Sequence, residues 1–431
     1  MEKLKPVDKM RVLWICNFPL PCMQKQIGFP KVVNEGWLEG LSSRLVALNG
    51  IELWYVFPQH QSPAILKGFC DGIEYRGFPV SSKNESYIDD HVILYLLEIL
   101  EKCLPDVVHV MGTEYPHTLS YFSAIQGSPY EDHSIVSIQG LTSVYTHHYL
   151  TGIPYKTLKK KRLKDFIRGD VVESQKMMRK RGINEIETIK FAKHCFGRTT
   201  WDKTCVELIN PSIQYHHGTE VLRQPFYGVE KWNIEDAVEG SIFMSQATSP
   251  IKGFHIALQS FALLLKRYPE LTIKVAGSKN PFNDARWKQS AYERYLDDFA
   301  QANGLKNRIK YLGPLDAECM KHEYLSANVF VCSSTIENSP NSVGEAMILG
   351  VPVVCSDVGG VRDILKDGVS GLTYQVDAPY MLAHCIDRIF SNKQLAQTLS
   401  INEINKAKDI HNIDKALGET LEVYRSISRR G

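Results

Sequence analysis

Residues Glu337 to Leu365 read ENSPNSVGEAMILGVPVVCSDVGGVRDIL, and this stretch decides the fold. It reads as loop, helix, tight turn, strand and loop. Pro340 and Asn341 break any preceding structure, and Ser342 to Leu349 is apolar enough for a buried helix. Gly350 stops that helix, and Val351 to Cys355 is a short buried strand. Glu337 and Glu345 bracket the turn and the helix start, with seven residues between them.

A helix N-terminus binds anions through its backbone N–H groups and its positive dipole end. A diphosphate fits at Asn341 and Ser342. A carboxylate before the helix, Glu337, can grip sugar hydroxyls, and one on the first turns, Glu345, can take a ribose diol. Two ordinary solvated glutamates are the plain alternative. The order of carboxylate, polar turn, Gly-Glu-Ala helix, Gly-Val-Pro strand and Asp-Val-Gly-Gly loop resembles the donor-site signature of glycosyltransferase family 4. Those are retaining, nucleotide-sugar-dependent enzymes of GT-B fold. The resemblance is specific in this segment and looser over most of the chain.

Working outward, 431 residues exceed one ordinary core and predict two domains. With 44% hydrophobic and 23% charged residues, the composition is that of a globular protein. A net charge of +2 makes no general case for nucleic-acid binding. Ten cysteines, with no CxxC pair and no metal-like spacing, read as reduced packing residues of a cytoplasmic protein. The start, MEKLKPVDKM, lacks the apolar stretch of a signal peptide, and no run is long enough to cross a bilayer.

Strands are predicted at Arg11 to Asn17, Ile51 to Val56, Val107 to Met111 and Ser134 to Ile138, with helices at Asn34 to Leu48 and Tyr87 to Cys103. Lys190 to Phe196 closes this half. A second alternation starts at Ser241, with strands at Ser241 to Met244, Leu271 to Ala276, Ile309 to Leu312 and Val329 to Cys332. Such alternation implies parallel sheets covered on both faces. The expected architecture is GT-B: two doubly wound, Rossmann-like domains facing each other across a cleft. The predicted division is 1–225 on the acceptor side, 226–405 for the nucleotide-sugar donor, and a C-terminal helix in 406–431 packing back on the first domain.

SPIKGFHIAL, from Ser249, matches the family's Lys-Gly entry to a helix, and the resemblance puts Lys252 on the donor diphosphate. A fixed ammonium stabilises charge that builds on a leaving phosphate. A solvated Lys beside a turn Gly is the alternative. The family's usual Arg a few residues earlier is missing from SQATS; Arg198 and Arg223 are candidate substitutes. YLGPL matches a loop that touches the base, which implicates Pro314 and Leu315. In the first half, the loop holding Gly28 lies where the family is glycine-rich. HVMGTEYPH offers Glu114 and His117 at a strand end, and His117 ranks first among the histidines as a catalytic candidate. Gln139 stands where the family commonly has His. It can hydrogen-bond a hydroxyl but cannot hold a proton. Gly28, Glu114, Gln139 and Arg198 are thus the acceptor-side candidates. Arg198 and Asp202 line the cleft, or simply pair and cap the next helix.

Lys156 to Arg181 holds eleven Lys or Arg against Asp165, Asp170 and Glu173, a net of +8, with apolar residues interleaved. It reads either as a basic amphipathic element for an anionic membrane or as a solvated helical face. There is no HExxH, cysteine cluster or Asp-x-Asp, so neither cofactor nor metal is expected. The absence of G-x-G-x-x-G and Walker sequences argues against a dehydrogenase and an NTPase. The resemblance implies transfer of a sugar from a UDP-sugar to a glycan or lipid-linked acceptor in bacterial surface polysaccharide assembly, in the cytoplasm or at the inner face of the membrane. An epimerase or hydrolase on the same fold, or a nucleotide-sugar-binding scaffold, are the rival readings.

Overall fold

The structure is a computed structural model that describes residues 9–28, 36–81, 88–278, 280–282 and 285–429. Phe29, Asn34 and Tyr87, which the sequence reading placed in a loop and at two helix starts, lie outside the described residues. The chain forms two compact units. One comprises 1–143, 179–221 and 412–431; the other comprises 144–178 and 222–411. The segment 144–178, which precedes residue 225 in sequence, therefore groups with the second unit, whereas the C-terminal helix Ile413–Ile427 groups with the first.

The first unit is built on eight strands: β1 Met10–Ile15, β2 Ile51–Gln59, β3 Leu66–Cys70, β4 Ile73–Pro79, β5 Val107–Met111, β6 Ser134–Ser137, β7 His194–Gly197 and β8 Gln214–His217. Their order is β3-β4-β2-β1-β5-β6-β7-β8, parallel except for the β3–β4 hairpin. Burial on both faces gives the near-continuous apolar runs of RVLWI and VVHVM. Buried Trp14 and Tyr55 pack here with Tyr424, whose hydroxyl accepts from Trp14 Nε1 at 2.8 Å. That bond seats the C-terminal helix in this unit's core.

The second unit has six parallel strands: β9 Val238–Met244, β10 Thr272–Ala276, β11 Ile309–Gly313, β12 Ala327–Cys332, β13 Val353–Ser356 and β14 Leu372–Tyr374, in the order β11-β10-β9-β12-β13-β14. Its core runs from Ile242 and Phe243 through Val329 and Phe330 to Val353 and Leu372. The segment 144–178 is tied to this unit by His255, whose ring bonds Thr151 O at 2.8 Å and the Tyr292 hydroxyl at 2.9 Å. Strand order reverses between β1 and β5 in the first unit and between β9 and β12 in the second. Beyond the carboxyl ends of strands, these switch points are where open α/β sheets bind ligands.

The cysteines correct one expectation. Cys22 and Cys70 form a disulfide between helix Pro21–Ile27 and β3. The antiparallel hairpin, which no parallel-sheet pattern announces, brings Cys70 to that helix. Of the free cysteines, Cys319 is exposed and Cys205 half-buried, so they are not uniformly packing residues. Among the described residues, no helix is long and apolar enough to cross a membrane.

Candidate functional site

In the second unit, the turn Pro250–Lys252 follows β9, and Glu337 lies in the loop after β12. The two residues therefore flank the switch point. Lys252 Nζ donates to Glu337 Oε1 at 2.6 Å. The Lys252 side chain keeps 30% of its exposure and that of Glu337 10%. Burial works against the ammonium, but the Glu337 carboxylate outweighs it and holds the Lys252 pKa above the ordinary lysine value. Lys252 is thus a fixed cation.

Two glycines explain why this loop has the sequence it has. Gly253 has φ +66°, and a Cβ there would lie 1.8 Å from Ser333 O. Ser333 Oγ in turn donates to Lys252 O at 3.0 Å. The Lys-Gly turn is therefore pressed against the end of β12 where no side chain fits. Gly359 has φ +51°, with Glu337 O 2.0 Å from a would-be Cβ, and Gly360 N donates to that same carbonyl at 3.0 Å. The Asp-Val-Gly-Gly loop clamps the backbone of Glu337.

Helix Asn341–Leu349 begins four residues after Glu337. Pro340 occupies its cap position and makes no side-chain cap bond. Tyr324 donates to Ser342 O at 3.0 Å, which pins the first turn. Glu345 does not stand as a lone carboxylate. Arg223 Nε and Nη2 donate to its two oxygens at 2.6 and 2.7 Å. Burial pushes the Glu345 pKa up, and the guanidinium only partly offsets it. Arg223, expected as a substitute cation for phosphate, is committed to this carboxylate. Pro314 is exposed after β11, and Leu315 packs half-buried on the core. The next residue, Asp316, caps helix Ala317–Ser326 by accepting from Cys319 N at 2.8 Å.

The first unit's switch point is chemically different. Asn17 follows β1 and Glu114 follows β5; Asn17 Nδ2 donates to Glu114 Oε1 and to Met111 O, both at 3.2 Å. Burial raises the Glu114 pKa to about 7, only partly opposed by backbone N–H groups and Arg181. Arg181 Nε donates to Glu114 O at 2.9 Å and its guanidinium lies over the Tyr115 ring. His117 is 4% exposed, stacked on Tyr115 and edge-on to Phe78. Burial lowers the pKa of this catalytic candidate to about 3, which disfavours its charged form. Four buried polar atoms, Asn17 Oδ1, Glu114 Oε2, His117 Nε2 and Gln139 Nε2, have no hydrogen-bond partner among the described residues. Buried polar atoms normally do, and these follow the carboxyl ends of β1, β5 and β6.

Arg198 is paired as well: it bonds Glu220 at 2.8 Å and Gln139 Oε1 at 2.8 Å. With Ser137, His109 and Thr219 it lines a cavity of about 50 Å³. Asp202 accepts from the N–H groups of Arg198 and Thr199 and caps helix Thr200–Ile209, the plainer of its two readings. Gly28, at φ 69°, closes helix Pro21–Ile27. The sequence reading missed Asn17, Arg181 and fully buried Glu185, which accepts from Thr113, Thr142 and Ser143. Of these, Asn17 was findable as the polar residue that ends the first strand; nothing marks Glu185 in a helix rich in charges.

Comparison with known proteins now bears on both units. Residues 232–406 match the family of glycosyl transferases group 1. A D-inositol 3-phosphate glycosyltransferase of Corynebacterium urealyticum is 25% identical over 178 residues, 41% of this chain and 41% of that protein. The chain matches less than half the length of such curated relatives. Sucrose-phosphate synthase of Thermosynechococcus elongatus superposes with TM-score 0.68 at 14% identity, covering 97% of this chain and 99% of that one. HepE of Anabaena, solved with UDP-glucose, gives TM-score 0.66 at 14% identity, with 97% and 100% coverage. The fold is GT-B, with a parallel α/β sheet in each unit.

Proposed function

We propose that this chain is a retaining glycosyltransferase that moves a sugar from a UDP-sugar to a hydroxyl of a glycan or lipid-linked acceptor. The observation that carries this reading is the Lys252–Glu337 pair at the β9/β12 switch point, within the segment matched by the family. The end of helix Asn341–Leu349, at Asn341 and Ser342, and the Lys252 ammonium supply positive potential for a diphosphate. Glu337 accepts from sugar hydroxyls. Glu345, its plane fixed by Arg223, keeps lone pairs for a ribose diol. Pro314 and Leu315 border the base. UDP-glucose bound by HepE supports the choice of nucleotide.

In the reaction the acceptor oxygen forms a bond to the anomeric carbon as the bond from that carbon to the phosphate oxygen breaks. The acceptor's proton passes to the departing phosphate, and retention follows from attack on the face the phosphate leaves. Lys252 stabilises charge that grows only as the phosphate departs, which is where a fixed cation accelerates the step. The first unit's Asn17, Glu114 and Gln139 suit a neutral polyhydroxyl acceptor, and surface polysaccharide assembly is the setting this family resemblance favours.

A thermal-shift screen with nucleoside diphosphates and their sugars tests the donor half. UDP and one UDP-sugar should raise the melting temperature, as ligands of the native state do. UDP release should then require an acceptor. Release at the same rate without one would replace transfer by hydrolysis, and no stabilisation by any nucleotide would remove the donor assignment.

A further inference from the structure

The segment rich in cations does not form one basic helix. It splits into helices Tyr155–Lys159, Leu163–Arg168 and Val171–Phe191. The middle one is built inside out. Its polar side faces protein: Asp165 is 2% exposed and accepts from its own helix cap, Arg162 N, at 2.7 Å and from Ala291 N at 3.0 Å. Lys164 Nζ donates to both oxygens of Glu293 at 2.9 and 2.8 Å. Its apolar side faces outward. Leu163, Phe166 and Ile167 share one face at helical spacing and are 58%, 73% and 72% exposed. A helix of six residues does not persist by propensity, so the capping and ion-pair bonds hold the apolar face out.

Trp287, 63% exposed, stands on the adjoining turn Arg286–Lys288, joined to the helix start by Arg162 Nη2 to Arg286 O at 3.4 Å. Exposed Lys156, Lys159, Lys160, Arg168 and Lys288 lie beside the residues of this apolar patch in sequence. A run of large apolar side chains held into water marks an interaction surface. An aromatic ring beside aliphatic side chains with a cationic border matches the interface of a bilayer, apolar below and anionic at the headgroups.

We propose that the Leu163–Ile167 face with Trp287 is a docking surface for an anionic lipid bilayer, into which Phe166, Ile167 and Trp287 insert. Arg181, on the helix Val171–Phe191, is not part of it, because it is bonded to the Glu114 backbone. Each flanking cation should contribute roughly fivefold to partitioning at low salt, and the two core apolar side chains together at least about tenfold. The surface does not depend on the donor chemistry, and its test does not read turnover.

The experiment is co-sedimentation of the full chain with phosphatidylglycerol–phosphatidylcholine vesicles and with phosphatidylcholine vesicles, at low and high salt. The unchanged chain should bind the anionic vesicles and not the neutral ones. Phe166→Ser with Ile167→Ser should lower the partition coefficient at least tenfold. Lys159→Gln with Lys160→Gln should lower it at low salt, and Leu263→Ser, an exposed apolar site elsewhere on this unit, should leave it unchanged. Melting temperatures report whether the variants fold. For a variant that does not, Trp287→Phe gives a second readout, since it should remove the blue shift of tryptophan emission on vesicle addition. No binding of the unchanged chain to anionic vesicles at low salt would overturn the proposal. So would equal binding by the Ser pair, or light scattering showing that the patch instead joins two copies of the chain.

Discussion

The two switch points use the same geometry for opposite electrostatics. In the second unit a lysine and a glutamate arrive on the loops after adjacent strands and form an ion pair. In the first, an asparagine and a glutamate arrive in the same way, but the asparagine carries no charge and burial raises the carboxyl's pKa to about 7. A phosphate needs a fixed charge, and a sugar hydroxyl needs directed acceptors and donors without one. The difference teaches that the fold supplies the position while burial and pairing supply the chemistry.

The comparison breaks most visibly if the charged switch point is neutralised. If the cation acts on the leaving phosphate as proposed, Lys252→Ala should lower kcat on the order of a thousandfold. Glu337→Ala should also cut turnover far more than UDP affinity, since its proposed partner is the sugar. Steady-state kinetics set beside calorimetric UDP binding would check both. Equal losses in binding and turnover for Glu337→Ala would move that carboxylate from the sugar to the nucleotide.

A second test separates fixing from binding. Glu345→Ala strands the Arg223 guanidinium, whose side chain is only 16% exposed. The expected cost is about 2–3 kcal/mol of stability, below that of a fully buried pair because Arg223 keeps some contact with water. Urea unfolding measures it. UDP affinity should fall as well; unchanged affinity would leave Glu345 with a purely structural part.

The neutral switch point has its own signature in pH. Between about pH 4.5 and 7 the folded chain holds a proton on Glu114 that the unfolded chain has already released. Stability contributed by this group therefore falls as pH rises through that window. Burial raises Glu403 to about 8 with the same sign, but it is common to both proteins when Glu114→Gln is compared with the unchanged chain. The melting temperature of the unchanged chain should drop by a few degrees relative to Glu114→Gln between pH 5 and pH 7.5. Parallel curves would mean that Glu114 is ionised and that the two switch points are not different in kind.

The charged site was legible in sequence because its parts are local: Glu337, the helix start and the Gly-Gly clamp lie within one 29-residue stretch, and Lys-Gly marks the facing turn. The parallel strands were legible for a similar reason, since burial on both faces makes them continuous apolar runs. What sequence could not give were pairings across the chain. Arg223 and Glu345 lie 122 positions apart, and their bond converts two independent site candidates into one unit. The β3–β4 hairpin, in which β3 buries only Cys70 and β4 intersperses buried with half-buried residues, has no such run, and with it the Cys22–Cys70 bridge stayed hidden. The inside-out helix at Leu163 was legible only in part. Its interleaved apolar and basic residues read as a membrane-binding or a solvated face, while the bonds of Asp165 and Lys164 that hold the inner side join it to residues 291 and 293.

The smallest effect expected is that of a chelator. If the second unit's switch point handles the diphosphate with Lys252 and the end of helix Asn341–Leu349, the charge a divalent ion would supply is already provided by the chain. Among the described residues, the one group of three close metal-ligating side chains is Cys22, Cys70 and Asp71, in the first unit, and its two cysteines are bonded to each other. On the proposed reading of Lys252, transfer should proceed at an unchanged rate in EDTA, and added Mg²⁺ or Mn²⁺ should alter it little. Complete loss on chelation, restored by either ion, would show that the ammonium does not suffice. It would then shift Glu337 from gripping the sugar to holding a metal, because its carboxylate is the one bonded to Lys252. Lys252→Ala sharpens the outcome: in that variant alone, Mg²⁺ should recover part of the lost rate by replacing the missing charge.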